Sequence, residues 1–253
     1  MENTKSRVTI HMVASLDGFI ARTDGTVDWL ETSDHFEGGA SIAPEIVEEF
    51  LKTIDCYVMG SRTYETALDF EAKGFGWAYG DTPTFVLTHR ELRKARASVE
   101  FYSGELARLV NERLKPTFRG IWFVGGGQVS GACLRLGLAD EVRYSIMPVL
   151  IGEGISFFEG LDKDVALHLT EVTAHHSGMV ELRYEVRRVS LPDTRDPQDL
   201  DQRHRVDARA VEAHAPVEMR SGRPAGGAHR AHDVAALHGI SHMHRNLRHM
   251  SEH

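Results

Sequence analysis

An α/β fold with a mostly parallel sheet, an antiparallel edge and helices on both faces is predicted by three features of this 253-residue sequence. Short runs of β-branched and aromatic residues alternate with longer stretches whose apolar residues recur at helical spacing. Several of the short runs stop abruptly in glycine or polar turn residues just where a helical stretch begins. From Val142 onward the alternation ceases. Three β-rich runs then follow one another, the last two joined at Ser177-Gly178 like a hairpin.

Val8 to Ala14 is an apolar run that reads as a central strand. Ser15-Leu16-Asp17-Gly18 turns it, and Phe19-Ile20-Ala21 is a short apolar return. Thr23-Asp24-Gly25-Thr26 is a second turn signal. Asp28-Trp29-Leu30 begins a loop that runs through Glu37-Gly38-Gly39. Pro44 opens a helix, where its missing N–H costs nothing, and Ile46, Val47, Phe50, Leu51 and Ile54 form its apolar stripe.

Cys56 to Met59 reads as a short buried strand, followed by Gly60-Ser61-Arg62-Thr63-Tyr64-Glu65 with Ser61 as the expected N-cap. Thr84 to Leu87 is the next strand, ending in Thr88-His89-Arg90, and Val99 to Tyr102 is another. Ser103 is expected to cap a helix carrying Leu106, Leu109, Val110 and Leu114. Ile121-Trp122-Phe123-Val124 then ends in Gly125-Gly126-Gly127, with an amphipathic run over residues 128–136. A glycine turn between a buried strand and a helix start lets backbone N–H groups approach a ligand, and the helix dipole favours an anion there. The spacing is not the G-x-G-x-x-G of a Rossmann turn. Val142 to Val149, Val165 to Thr173 and Met179 to Val189 read as the three closing strands.

Composition divides the chain near Ser190. Residues 191–253 contain no lysine, phenylalanine, tryptophan or tyrosine, and nine of the fifteen histidines. Nine arginines there balance nine acids, so the formal charge of −8 resides in residues 1–190. We therefore expect a domain over 1–190 and a disordered or loosely attached His/Arg-rich tail over 191–253. His238, His242, His244 and His249 lack an acid or cysteine to complete a ligand set, and no metal site is expected. The acidic body has no basic stripe and argues against a nucleic-acid partner. No apolar run approaches membrane-spanning length. Cys56 and Cys133 sit in apolar runs without a C-x-x-C pair, and the N-terminus lacks a signal-peptide pattern, which fits a cytoplasmic protein.

Four motifs stand in order: Ala14-Ser15-Leu16-Asp17-Gly18-Phe19-Ile20-Ala21, Met59-Gly60-Ser61-Arg62-Thr63-Tyr64-Glu65, Val86-Leu87-Thr88-His89-Arg90, and Val124-Gly125-Gly126-Gly127-Gln128-Val129. Together they resemble the dihydrofolate reductase-like fold, and within it the branch containing the reductase domain of bacterial riboflavin biosynthesis. Pro148-Val149-Leu150-Ile151-Gly152-Glu153-Gly154, followed by Phe157-Phe158-Glu159-Gly160, resembles the late loop of that branch. The resemblance covers about residues 7–188.

It implies an NADPH cofactor. Gly125, Gly126, Gly127, Gln128 and Val129 would hold the pyrophosphate and the nicotinamide side. Gly60, Ser61, Arg62 and Thr63 would hold the adenosine half, with Leu87 and Thr88 beside the adenine. Arg62, His89 and Arg90 would face the 2′-phosphate. Ser61 stands where the folate enzymes usually carry arginine, and Arg62 is displaced by one. Ala14 and Ile20 would touch the nicotinamide. Asp17, Trp29 and Glu45 are the catalytic or substrate candidates: a carboxylate at a strand end, an aromatic on the covering loop, and an acid at the start of the first helix, where it also suits the helix dipole. The riboflavin enzyme is often fused to a zinc deaminase, but no P-C-x-x-C stands here and no deaminase activity follows.

The implied activity is hydride transfer from NADPH to a C=O or C=N of a small pyrimidine- or pteridine-like substrate, similar to 5-amino-6-(5-phosphoribosylamino)uracil reductase. The alternatives are reduction of dihydrofolate and a catalytically silent nucleotide-binding protein on the same fold. Apolar alternation in the closing strands, together with the pairing seen in relatives, leads us to expect a homodimer.

Overall fold

The computed structural model describes residues 5–41 and 44–188, the side chains of 44–46 excepted. The tail over 191–253, its histidines and the side chain of Glu45 lie outside the described residues.

Eight strands form one sheet in the order β5-β4-β3-β6-β1-β7-β10-β9. β1 (Arg7–Ser15) is flanked by β6 (Gly120–Phe123) and β7 (Glu141–Met147), both parallel to it. β3 (Cys56–Gly60), β4 (Thr84–Leu87) and β5 (Val99–Tyr102) extend the parallel part outward from β6. β10 (Val180–Val186) and β9 (Leu167–Ala174) close the other side antiparallel. A separate two-stranded ribbon pairs β2 (Phe19–Ala21) with β8 (Ile155–Ser156). The expected parallel sheet with an antiparallel edge is therefore what the chain forms.

Alternate residues of the strands build two cores. One face carries Val8, Ile10, Cys56, Val58, Ile121 and Phe123, and is covered by apolar residues of α5 (Gly127–Arg135) and of the helical segment before β6. The opposite face carries Tyr57, Met59, Trp122 and Val124, covered by α1 (Pro44–Lys52) and α2 (Ser61–Ala72). Burial of both faces explains why the central strands read as continuous apolar runs.

Three local expectations are corrected. β3 runs straight into α2, so the N-cap position falls on Gly60 (φ −81°, ψ 167°) and Ser61 is the first helical residue, with no side-chain cap. The helix expected from Ser103 begins instead at Leu106, with α3 (Leu106–Arg108), a π-helical stretch Leu109–Leu114 and α4 (Lys115–Thr117) in succession. The wider π turn still brings Leu109, Val110 and Leu114 into the core, so their helical spacing disguised it. Asp28–Leu30 forms a 3-10 turn with Trp29 buried, where an open loop was expected.

Candidate cofactor and substrate site

All six parallel strands end at the same edge of the sheet, at Ser15, Gly60, Leu87, Tyr102, Phe123 and Met147. Open α/β sheets bind ligands in the crevice beyond such ends. There the glycine turn departs from β6. Val124 N–H still bonds Val58 O at 3.0 Å, which ties the turn to β3. Gly125 and Gly126 then take φ +152° and +23°, backbone that a side chain would strain. α5 starts at Gly127 with no side-chain cap on its N-terminal N–H groups.

Gly127 has a different reason to be glycine. A Cβ there would lie 2.3 Å from Ser156 O, and one at Gly131 would lie 1.8 Å from Glu159 O. One turn apart on α5, the two glycines let the backbone of the late loop lie against the helix, and Glu159 N–H bonds Gly127 O at 3.2 Å. Gln128 is exposed at the helix start and Val129 half-buried, its methyl 3.4 Å from the position a Gly60 Cβ would occupy. The β3 and β6 turns thus adjoin.

On the β3 side, Ser61 is half-buried and Arg62 exposed. Thr63 is fully buried in the first turn of α2, and its hydroxyl has no hydrogen-bond partner among the described residues. Burying a hydroxyl unpaired costs about 1–3 kcal/mol. Leu87 and Thr88 are half-buried at the end of β4, and Thr88 Oγ1 accepts from Arg90 N–H at 2.9 Å to shape the turn. His89 is exposed. Arg90 is committed to Glu65, with Nη1 2.8 Å and Nη2 2.6 Å from its two carboxylate oxygens.

At the end of β1, Ala14 and Ile20 are buried. Asp17 does not face the sheet's crevice unengaged. Its carboxylate accepts Gly152 N–H at 2.7 Å and Ile151 N–H at 3.2 Å, and Leu16 N–H bonds Val149 O at 2.8 Å. Strand end and late loop are clasped together. The Ser15 hydroxyl above all, with the backbone N–H groups of Gly152 and Ile151 adding to it, holds the Asp17 carboxyl below its ordinary range against the opposing effect of burial. Trp29 packs into the larger core at 5 % exposure, which makes it the anchor of its loop.

Sequence reading overlooked a polar group on the α1 face. His11, on β1, pairs through Nε2 with Ser145 Oγ on β7 at 3.0 Å and stacks on Trp122 at 5.3 Å. Burial first, and Arg143 second, push its pKa down to about 3. Glu181 on β10 lies near His175, the residue after β9, Nε2 to carboxylate at 4.0 Å. The signal was available: Thr9 and His11 alternate with apolar residues in β1, as Arg143 and Ser145 do in β7. Nearer the other end of β7, Glu141 is buried among Arg7 (3.1 Å), Arg143 (2.9 Å) and Arg183 (2.8 Å). Burial opposes its ionisation, but the arginines outweigh that and hold the carboxyl low. That cluster is satisfied within the protein and reads as structural. Among the described residues no group of His, Cys, Asp and Glu is placed to hold a metal, and no helix is long and apolar enough to cross a membrane.

Residues 67–180 match the family model of the RibD C-terminal domain. Over 179 residues the chain is 30% identical to the uncharacterized protein YwjB of Bacillus subtilis, covering 70% of this chain and 97% of YwjB. The chain belongs to the RibD C-terminal domain family. A second relative, the uncharacterized protein YyaP of the same organism, is 25% identical over 186 residues, which are 70% of this chain and 94% of YyaP. Among solved structures, a protein from Shewanella sp. PV-4 named for riboflavin biosynthesis superposes with a TM-score of 0.60 at 23% identity, over 72% of this chain and 99% of its own. The deaminase/5-amino-6-(5-phosphoribosylamino)uracil reductase of Thermotoga maritima superposes with 0.52 at 14%, over 72% of this chain and 57% of its own. These two likenesses bear out the dihydrofolate reductase-like fold. The family match begins after Gly60 to Thr63, so those residues stand on geometry alone.

Proposed function

We propose that this chain is an NADPH-dependent reductase that transfers hydride to a C=O or C=N of a small heterocycle. The supporting observation is the pair Gly125 and Gly126, at φ +152° and +23°, between the end of β6 and the uncapped start of α5. Backbone N–H groups at a helix start that no side chain caps suit a pyrophosphate. The unpartnered hydroxyl of Thr63, in the first turn of the neighbouring helix, fits a ligand at the same edge. Family membership supports a reductase in general and leaves the reaction of this chain to experiment.

In this reading Gly125, Gly126 and the first residues of α5 bind the pyrophosphate, while Gly60 to Thr63 and Leu87 to His89 bind the adenosine half. The cofactor, when bound, supplies the hydride. The protein's own work is orientation and the exclusion of water. Asp17 contributes by fastening residues 149–152 to the end of β1, and Trp29 by fixing the loop after β2. The late loop, packed on Gly127 and Gly131, braces α5 from the other side. Titration of NADPH by its fluorescence, followed by its oxidation in the presence of pyrimidine and pteridine substrates, tests the reading. Binding without turnover would favour the catalytically silent alternative, and no binding would refute both.

We also propose a homodimer paired through β9. A bulge between the pairs of Arg183 and Tyr184 keeps Leu167, Leu169 and Val172 on one side of this edge strand, where they are 40%, 46% and 56% exposed.

A further inference from the structure

The two ends of the ligand edge differ in charge. Where β3 and β4 finish, the following turns carry Arg62, His89 and Arg90, and Arg93 and Lys94 are exposed in the loop beyond. Where β1 and β7 finish, at the paired residues Ser15 and Met147, several segments meet. Residues 15–21 and 147–160 are joined by Leu16 N–H to Val149 O at 2.8 Å and by Phe157 N–H to Gly18 O at 3.0 Å. Residues 174–181 turn from β9 into β10, whose Val180 pairs with Ile146. Residues 31–41 are bound to that turn by Phe36 N–H to His176 O at 2.8 Å and Ala40 N–H to Ala174 O at 2.7 Å. These segments hold the acids Asp17, Glu31, Asp34, Glu37, Glu153, Glu159 and Glu181, and no lysine or arginine. Arg22, Arg135 and Arg143 border them and are committed elsewhere. Arg22 bonds Asp28 at 2.7 Å, Arg143 bonds Glu141 at 2.9 Å, and Arg135 bonds the Gly160 carbonyl.

The same segments hold apolar side chains out to solvent. Leu16, Phe36 and Leu150 are 61%, 49% and 68% exposed. Apolar area at the rim of a site marks an apolar ligand. Carboxylates with no uncommitted cation among them repel a phosphate and attract a positive charge. A polar group there is also unmatched. His175 is 9% exposed, and neither ring nitrogen has a described partner in hydrogen-bonding geometry; the carboxylate of Glu181 lies 4.0 Å from Nε2.

The reacting end suits a cation as well. Reducing a carbonyl or a neutral imine calls for a proton donor. The Asp17 carboxylate is engaged with Gly152 N–H at 2.7 Å, and Ser15 Oγ accepts Phe19 N–H at 3.0 Å within its own turn. Neither stands ready to give a proton. An imine that arrives already protonated needs no donor.

We propose that the substrate end of this site takes a cationic, apolar cyclic imine that carries no phosphate. The acids of the rim hold the positive charge, and Leu16, Phe36 and Leu150 cover the apolar body. Hydride from the reduced nicotinamide bonds the imine carbon with its electron pair, the C=N π pair moves onto nitrogen, and an amine and NADP+ result without a proton from the protein. The proposal rests on the reductase reading for the hydride, though not for the binding of the cation.

The test titrates the full chain by calorimetry with N-methyl-3,4-dihydroisoquinolinium, a permanent cation, and with 1-tetralone, its uncharged ketone counterpart. Each is added alone and with the unreactive 1,4,5,6-tetrahydro-NADPH. NADPH affinity is measured in parallel by fluorescence. We expect the cation to bind about tenfold or more tightly than the ketone at low salt, and the preference to shrink at about 0.5 M salt. Glu37→Gln combined with Glu153→Gln should weaken the cation about fivefold and leave ketone and NADPH affinities within about twofold. Phenyl phosphate should not displace the cation, and with NADPH the iminium should be reduced. Equal affinity for the two probes, an undiminished preference in the double variant, displacement by phenyl phosphate, or a bound iminium left unreduced beside bound NADPH would overturn the proposal. A preference for the cation with no NADPH binding would sustain the acidic ligand end and refute the reductase reading instead.

Discussion

Arg90 and Glu65 form a two-pronged ion pair at the mouth of the β4 turn, 2.8 and 2.6 Å between guanidinium and carboxylate. The pair cancels the charge that Arg90 would bring to a ribose 2′-phosphate. Arg62, exposed one turn before Glu65, has no ion pair among the described residues. NADPH and NADH differ only by that phosphate, so Arg62→Ala is expected to weaken NADPH roughly tenfold or more and barely change NADH. Arg90→Ala should cost less, and Glu65→Gln, by releasing Arg90, should strengthen NADPH. Fluorescence titrations at fixed ionic strength read all three. Equal losses for both cofactors in Arg62→Ala would put this arginine on the shared part of the ligand.

The clasp made by Asp17 yields a pH dependence. Its carboxyl is held below the ordinary value of 3.8, so the folded state binds this proton less tightly than the unfolded chain. The stabilisation is fully present above that value and is lost as pH falls through the lower folded one. Asp17 is exposed, so solvent screening keeps the effect small: Asp17→Asn is expected to lower the melting temperature at pH 7 by no more than about one to two degrees, and the gap between variant and wild type should narrow below about pH 4. A gap that stays constant from pH 7 to pH 3 would show that the charge of Asp17 contributes nothing to the clasp.

Gly131 touches no proposed ligand, yet a Cβ there would overlap Glu159 O. Gly131→Ala should destabilise the fold by about 1–3 kcal/mol, the usual range for overpacking, with NADPH affinity unchanged below the melting transition. Thermal denaturation and cofactor titration separate the two effects. Unaltered stability would mean that the late loop can move off α5 freely.

If β9 is a dimer edge, the chain sediments as a dimer at micromolar concentration, and Val172→Lys shifts it to monomer by placing a charge in the apolar seam. A wild-type monomer under these conditions would sink the assignment.

What the sequence disclosed follows from period and punctuation. β4 and β5 match their expected bounds because short runs rich in β-branched and aromatic residues ended in turn residues, and the β6–α5 turn was marked by its glycines. The π-helical stretch at Leu109–Leu114 kept a spacing indistinguishable from an α-helix. β8 was missed because two residues carry no period. In the site, residue types disclosed the turn and Thr63, but partner choice was invisible: that Arg90 goes to Glu65, and Asp17 to the backbone of Ile151 and Gly152, depends on contacts up to 135 positions apart. Gly127 looked like part of a ligand cradle because sequence does not show which backbone a glycine admits. His11 and Glu181 went unremarked because they belong to different strands and meet only through register.

In the proposed function a pyrophosphate-bearing nicotinamide cofactor lies against the glycine turn. Gly126→Val tests it most directly, since at φ +23° a β-branched side chain both strains the turn and stands in the ligand's place. NADPH affinity of this variant and of the milder Gly126→Ala is measured by fluorescence titration, with circular dichroism to show that each has folded. We expect folded proteins whose affinity falls progressively from wild type through alanine to valine, by at least about a hundredfold in the last, the equivalent of about 2.7 kcal/mol. A folded Gly126→Val that binds NADPH as tightly as the wild type would contradict it.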